Sequence, residues 1–507
     1  MTHADSTPAA LAVRPRRAPM AVVACCAVLA FALPWQLRWG TVADTSWIIT
    51  MCERLLAGER LYVDFVETNP PFTVWLYLPP VWLAQALGAA PEFLVHAYTY
   101  LACLAGLGLA AAIARRAGFE ENPGLLTLAP AFLALLVVFP GNSFSEREHF
   151  GVALLLPLLA LMAWRASNNA ATRPSLAIAL LAGLCGSVML LVKPYYAVVI
   201  LLPALYVAWR RRSVVALLAP EYWTIGLICV AYLALATWLY PEFLNDIYPV
   251  LADTYLKVRL PLPMLMGYAG AYLINLYLIR VVRPGVPLSP FVIVLAAASV
   301  AAIGPLLHQG KGWPYHAYPA VVLGIAALLC RLAQPSRRPL RTAHVLLVAL
   351  SVVASAIPFL ATQKPGSGFV DEVRMATDVI PGGPSVGLIG SDIAAGHPLS
   401  RLIGGRWSSA YCSDWLGFQA VYLEALARLD GLDEEASRYR AIAARYIDAK
   451  VAEIVAARPD VLLFQKQDQL WTARFLQDDR AAVLLSDYEF LAEDATLRVL
   501  IRRPGGR

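Results

Sequence analysis

The chain has 507 residues, of which 59% are hydrophobic and only 15% charged, and its mean hydropathy is +0.60. That is too apolar for a water-soluble surface, so lipid must solvate much of it. The formal charge of +6 is carried largely by short arginine clusters between apolar runs, which orients helices rather than recruiting nucleic acid.

In chain order, the first apolar run is Ala18–Leu37, behind Arg14, Arg16 and Arg17. It is of spanning length and lacks a small-residue cleavage site before Asp44, which predicts an uncleaved first helix with a cytoplasmic N-terminus. A loop over 39–91 follows. Its Asp44–Leu56 segment (DTSWIITMCERLL) sets Trp47, Ile48, Met51 and Leu55 on one helical face, an amphipathic helix resting on the bilayer. Pro71–Gly88 is long and apolar, yet it carries Pro79 and Pro80 mid-way and four aromatic rings, which suits the membrane interface better than a crossing. Further spans are then expected at Phe93–Ala114, Gly124–Pro140, His149–Trp164, Pro174–Val192, Tyr195–Trp209, Tyr222–Tyr240, Pro263–Ile279, Pro290–Leu307, Tyr315–Cys330 and His344–Ala361. With about eleven spans, the arginine clusters at 115–116, 165–173, 210–212, 280–283 and 331–341 all fall in cytoplasmic loops. A crossing at Pro71–Gly88 would put every one of them outside.

The remainder, 363–507, is expected outside the cytoplasm as a small α/β domain behind a Lys364–Gly368 linker. Ser385–Gly390 and Val461–Phe464 have strand character, and Leu416–Ala444 and Tyr446–Ala457 have helical period. The expected fold class is therefore a polytopic α-helical membrane protein, with a transmembrane domain over 1–362 and a periplasmic domain after it. Eight cysteines without CxxC spacing speak against a redox or zinc site. Cys52 and Cys412 share the outer compartment, where a disulfide between them is chemically allowed.

Ionisable residues at the outer surface are the candidates for chemistry. Asp44 reads either as a helix N-cap or as a general base. Asp64 and Glu67 precede the paired prolines, where desolvation would raise their basicity. Glu146, Arg147 and Glu148 read either as a solvated turn or as part of a site at the outer surface. Lys193 ends an apolar run and either snorkels to the interface or meets an anion. His308, Lys311, Tyr315 and His316 lie between two spans; the two histidines do not have i,i+4 spacing, and no metal is assigned to them.

The order of first span, Asp44, amphipathic helix and G-x-x-L-Y-x-D-F-x-E-x-N-P-P (Gly58–Pro71) resembles the first outer loop of the GT-C superfamily of integral-membrane glycosyltransferases. The likeness is to the branch with the protein O-mannosyltransferases and lipid A aminoarabinose transferases, and it covers roughly the first 200 residues. This chain has Asp44-Thr45 where many relatives have Asp-Glu. The resemblance implies a bacterial inner-membrane enzyme that moves a sugar from a polyprenyl-phosphate donor to an envelope lipid, glycan or protein acceptor, inverting the anomeric carbon. Asp44 and Glu148 would be its catalytic acids, with the other residues named above binding substrate and no cofactor required. A lipid-linked-saccharide flippase and a non-catalytic envelope-assembly subunit are the alternatives. The first would need ionisable residues in mid-span, and the spans are almost free of charge.

Overall fold

A computed structural model of the chain describes residues 17–118, 124–167, 173–336, 339–361, 365–466 and 468–503. Arg14, Arg16, Arg337, Arg338, Lys364 and the expected domain boundary at 362/363 lie outside the described residues.

Among the described residues, sixteen α-helices precede the tail: α1 (Arg17–Trp39), α2 (Ala43–Leu56), α3 (Phe72–Leu87), α4 (Pro91–Arg116), α5 (Gly124–Val137), α6 (Arg147–Ala166), α7 (Leu176–Val192), α8 (Ala197–Arg211), α9 (Pro220–Leu239), the short α10 (Tyr248–Asp253) and α11 (Leu262–Leu265), α12 (Ala269–Val281), α13 (Pro290–Ala301), α14 (Ile303–Gln309), α15 (Pro314–Ala333) and α16 (Thr342–Ala356). Seven of the eleven expected spans are described helices long and apolar enough to cross a membrane. The other four appear as α5, α7, α8 and α12, of 14, 17, 15 and 13 residues. Local chemistry starts and ends several of them. Proline opens α4, α9, α13 and α15 at positions whose amide would be unpaired anyway. Ser175 and Ser289 cap α7 and α13 by accepting from Ile178 and Val292. Arg115 and Arg116 sit in the last turn of α4, where the helix dipole favours cations.

Side-chain contacts fix the running directions. Trp35 and Gln36 near the end of α1 donate to the carbonyls of Val138 and Val137 at the end of α5, at 2.9 and 2.7 Å, so these two helices finish on one face. Thr99 meets Ser145 at 2.9 Å and Cys103 meets His149 at 3.5 Å, so α4 and α6 both run away from that face. Gly106 backs onto the carbonyl of Ala153, an approach that no side chain on α4 would permit. The arginines collect at the far ends. Arg165 pairs bidentately with Glu221, Arg211 donates to the Arg165 carbonyl, and Arg331 ties the carbonyls of Ile279, Arg283, Val286 and Pro287.

These directions bear on α3. It starts three residues after Asn69 and ends just before Glu92, and Glu92 shares Arg401 with Glu53 of α2. Both ends of α3 therefore lie on the α2 face. Its two prolines sit inside an unbroken helix.

The tail comprises α17 (Ser367–Thr377), β1 (Ser385–Ile389), α18 (Ile393–Gly396), α19 (Leu399–Leu402), β2 (Arg406–Trp407), α20 (Trp415–Leu429), α21 (Asp433–Ala457), β3 (Val461–Gln465), α22 (Trp471–Leu476), α23 (Asp479–Leu485), β4 (Tyr488–Glu493) and β5 (Leu497–Arg502). The strands form one mixed sheet in the order β2-β1-β3-β5-β4, parallel across β2, β1 and β3 and antiparallel from β3 to β5 and β4. The expected strands are β1 and β3. The expected helical break at Arg445 is displaced: α21 passes through it unbroken, and the turn falls at Gly431, whose φ of +71° favours glycine. Asp433, Glu434 and Glu435 then open α21, where the dipole favours acids. Trp47, Tyr77 and Phe150 share one buried cluster with Val386, Leu388, Leu399 and Trp407, so the sheet packs directly onto the α2–α3 face.

Candidate active site

Helix α2 begins one turn after α1. Its N-cap is Val42, which makes no side-chain cap, and Asp44 stands in the first turn. The capping role open to Asp44 in the sequence is thus not taken, and its carboxylate, 27% exposed, faces Arg147 at 3.8 Å. Arg147 opens α6 and lies 3.9 Å from Glu67 on its other side. Glu67 is held by Trp47 Nε1 at 3.1 Å, the Asn69 amide at 2.9 Å and Asn69 Nδ2 at 2.5 Å. Those bonds leave Glu67 buried and fixed, whereas Asp44 keeps an open side.

Glu146 and Glu148 flank Arg147 and diverge. Thr45 donates to Glu146 Oε1 at 3.5 Å, next to Asp44 in sequence. Burial pushes the Glu146 carboxyl well above the usual carboxylate range, and the Asp44 charge pushes the same way against Arg147. Burial and the Asp44 charge thus favour its neutral form, while Arg147 and Lys193 oppose them. Glu148 turns instead toward Lys193, the residue that ends α7, at 2.6 Å. Lys193 Nζ also meets Gln309 Oε1 at 3.1 Å and His316 Nε2 at 3.3 Å, beneath the Tyr315 ring. Burial lowers the Lys193 ammonium, and the Glu148 carboxylate works against that.

The structure thus gathers Asp44, Glu146, Arg147, Glu148, Lys193, Tyr315 and His316 from the ends of α2, α6, α7 and α15, and Glu67 from the loop between α2 and α3. Asp64 is not among them. The Leu61–Phe65 segment closes into a turn in which Asp64 accepts from the Arg60 amide at 2.7 Å and points outward. His308 is also apart, exposed on α14 with its ring against Tyr195 at 5.2 Å. Lys311 is at the margin. It donates to the carbonyls of Tyr255 and Val258 over the Tyr255 ring, and burial with Arg259 nearby brings it down to about 8. Thr45 and Trp47, named in the sequence only as the neighbour of Asp44 and as part of an apolar face, also belong to the cluster, as do Ser145 and Gln309; for Gln309, a glutamine closing an apolar helix was the available signal. Among the described residues, no group of three or more His, Cys, Asp or Glu is arranged to hold a metal ion. Cys52 and Cys412 are separate buried thiols.

The tail roofs this cluster. His397 packs at a tilt against Trp47, 5.4 Å between ring centroids, Val66 donates to the Ala410 carbonyl at 2.8 Å, and Trp415 meets Tyr255 at 4.9 Å. The loop after β1 comes within electrostatic reach of Asp44: Asp392 is pushed up by burial, with Asp44 adding to it.

No family profile and no curated protein matches the chain. Solved structures do. The structure of ArnT from Cupriavidus metallidurans bound to undecaprenyl phosphate aligns over 96% of this chain and 98% of that one, with a TM-score of 0.56 and 14% identity. The apo state of the same protein aligns over 95% and 98%, with a TM-score of 0.55 and 15% identity. The fold is GT-C-like. The chain with this fold is an integral membrane protein, as its apolar helices require. Its ion cluster lies at the bundle face beneath the tail, opposite the arginine-bearing helix ends.

Proposed function

We propose that this GT-C-like chain is a glycosyltransferase that moves a sugar from a polyprenyl-phosphate carrier to an acceptor hydroxyl on an envelope lipid, glycan or protein. The observation that carries the reading is the half-open Asp44 facing Arg147 amid a buried ion cluster. The full-length likeness to a protein solved with undecaprenyl phosphate supports it. The cluster side is taken as periplasmic and the N-terminus as cytoplasmic in a bacterial inner membrane, because the arginines gather at the opposite helix ends.

In the proposed step Asp44 takes the proton of the acceptor hydroxyl while that oxygen attacks the anomeric carbon. The bond from that carbon to the phosphate oxygen breaks, configuration inverts, and the electron pair leaves with the phosphate. Arg147 balances the charge as it grows. Glu148 serves Lys193 rather than the acceptor, and Glu146, buried and joined to Thr45, is the second acid nearer Asp44. Asp44→Asn, in purified protein supplied with radiolabelled polyprenyl-phosphate sugar, is expected to lower transfer at least roughly 100-fold with the fold intact. Full turnover by that variant removes the assignment.

A further inference from the structure

Lys193 was expected to touch the donor phosphate, but its hydrogen bonds are spoken for. An ammonium has three N–H groups and no lone pair. Glu148 Oε1 at 2.6 Å, Gln309 Oε1 at 3.1 Å and His316 Nε2 at 3.3 Å supply three acceptors. The 2.6 Å contact to the Glu148 carboxylate favours the ammonium form of Lys193 against the burial that lowers it, and beside an ammonium His316 Nε2 can only accept. The proton of the neutral imidazole then resides on Nδ1.

That Nδ1 has no hydrogen-bond partner, although His316 is fully buried. Three further donor groups around it are in the same position: Gln309 Nε2, Tyr315 Oη and Arg147 Nε are all buried and unpartnered. Gln309 and His316 share Lys193, the Tyr315 ring lies 4.5 Å from that of His316, and Arg147 is within electrostatic reach of Tyr315. Buried donors without acceptors are rare in native folds because each costs about 1–3 kcal/mol. Four in one wall call for a ligand rich in acceptor oxygens. The cluster also has two unpartnered carboxylate oxygens, on Glu146 and Glu148. The first belongs to the carboxyl joined to Thr45, whose affinity for a proton burial raises, and the second lies on the Lys193 side.

We propose that Lys193 is a positioning residue that fixes His316 as the Nδ1–H tautomer, and that this N–H, with Tyr315 Oη and Arg147 Nε, binds the phosphate of the lipid carrier. The inference rests on the reading that the chain binds a polyprenyl phosphate. Trp313, 41% exposed and 5.3 Å from the His316 ring, is the side chain free to give way as the phosphate enters.

Asparagine places its amide nitrogen where His Nδ1 stands, and glutamine places its own where Nε2 stands. Binding of radiolabelled undecaprenyl phosphate to the full chain in nanodiscs therefore separates the two ring positions. His316→Asn is expected to keep affinity within a few-fold, and His316→Gln to lose roughly 10- to 100-fold, the worth of a hydrogen bond to a charged group. Lys193→Met is expected to weaken binding when His316 is present and to add little on the His316→Asn background. Removing both charges in Lys193→Met/Glu148→Gln gives the same comparison without an unpaired buried acid. Wild-type protein that does not bind the lipid overturns the functional reading itself. Wild-type binding with His316→Gln equal to or better than His316→Asn, or an equal Lys193 effect on both backgrounds, overturns the tautomer proposal alone.

Discussion

Arg401 holds the tail to the helix that carries Asp44, and removing it measures how far that clamp matters. Its guanidinium forks onto Glu53 of α2, with Nη2 at 3.0 Å from Oε1, reaches Glu92 of α4 with Nε at 2.6 Å, and donates to Thr50 at 3.2 Å. Arg401 itself is 13% exposed and the two acids 33% each. Arg401→Gln leaves two carboxylates facing each other without a cation. Breaking a buried pair costs about 3–5 kcal/mol, but water reaches both acids, and screening brings the expected loss to roughly 1–2 kcal/mol. That corresponds to about a 5- to 30-fold rise in the open population of the clamp. Hydrogen–deuterium exchange resolved over Ala43–Leu56 and Leu399–Leu402 reads it directly, with turnover falling in step because Asp44 sits on the loosened helix. Adding Glu53→Gln relieves the like-charge contact and restores part of the protection. Unchanged exchange in α2, with the tail still folded, refutes the clamp.

Two further outcomes follow from burial. His397 is enclosed between Trp47 and Trp407 with neither ring nitrogen bonded, and burial together with Arg401 lowers it from 6.5 to about 3. Between those values the unfolded chain binds the extra proton, so stability falls as pH drops below 6.5, by up to about 1.4 kcal/mol per pH unit; melting curves from pH 4 to 7 test this, and an undiminished slope in His397→Phe refutes it. Gly106→Ala would press a methyl to 2.1 Å from the Ala153 carbonyl oxygen, whereas Gly108→Ala meets open space. The first is expected to cost roughly 1–3 kcal/mol of thermal stability and the second nearly nothing, and equal melting temperatures refute the close α4–α6 contact.

Hydropathy and arginine placement made the bundle legible, because apolar length and basic ends are properties of contiguous residues. The same count predicted that Pro71–Gly88 would stay on one face, and the Glu92–Arg401–Glu53 link supports this. What was not legible depends on pairing. β2 is two residues long, and β4 and β5 alternate too weakly to stand out before they pair. Nothing local marks Arg401, since its partners, 348 and 309 positions away, leave no trace in the neighbouring sequence. Asp64 looked as suitable as Glu67 until the turn at Leu61–Phe65 directed one outward and the other inward.

The triplet Glu146–Arg147–Glu148 shows where the sequence stops short. As three charges in a row before an apolar helix it fits a solvated turn as well as it fits a site. All three are nearly fully buried, at 1, 3 and 0% exposure, and a solvated turn is thereby ruled out. Successive residues at a helix start point roughly 100° apart, so each meets a different element: Glu146 the Thr45 hydroxyl, Arg147 the carboxylates of Asp44 and Glu67, Glu148 the ammonium of Lys193. Apolar side chains would pack this region at less cost than ion pairs and orphaned donors do. A cluster that spends stability at the bundle face beneath the tail, with one carboxylate left open, is better explained by what it binds than by what it holds together.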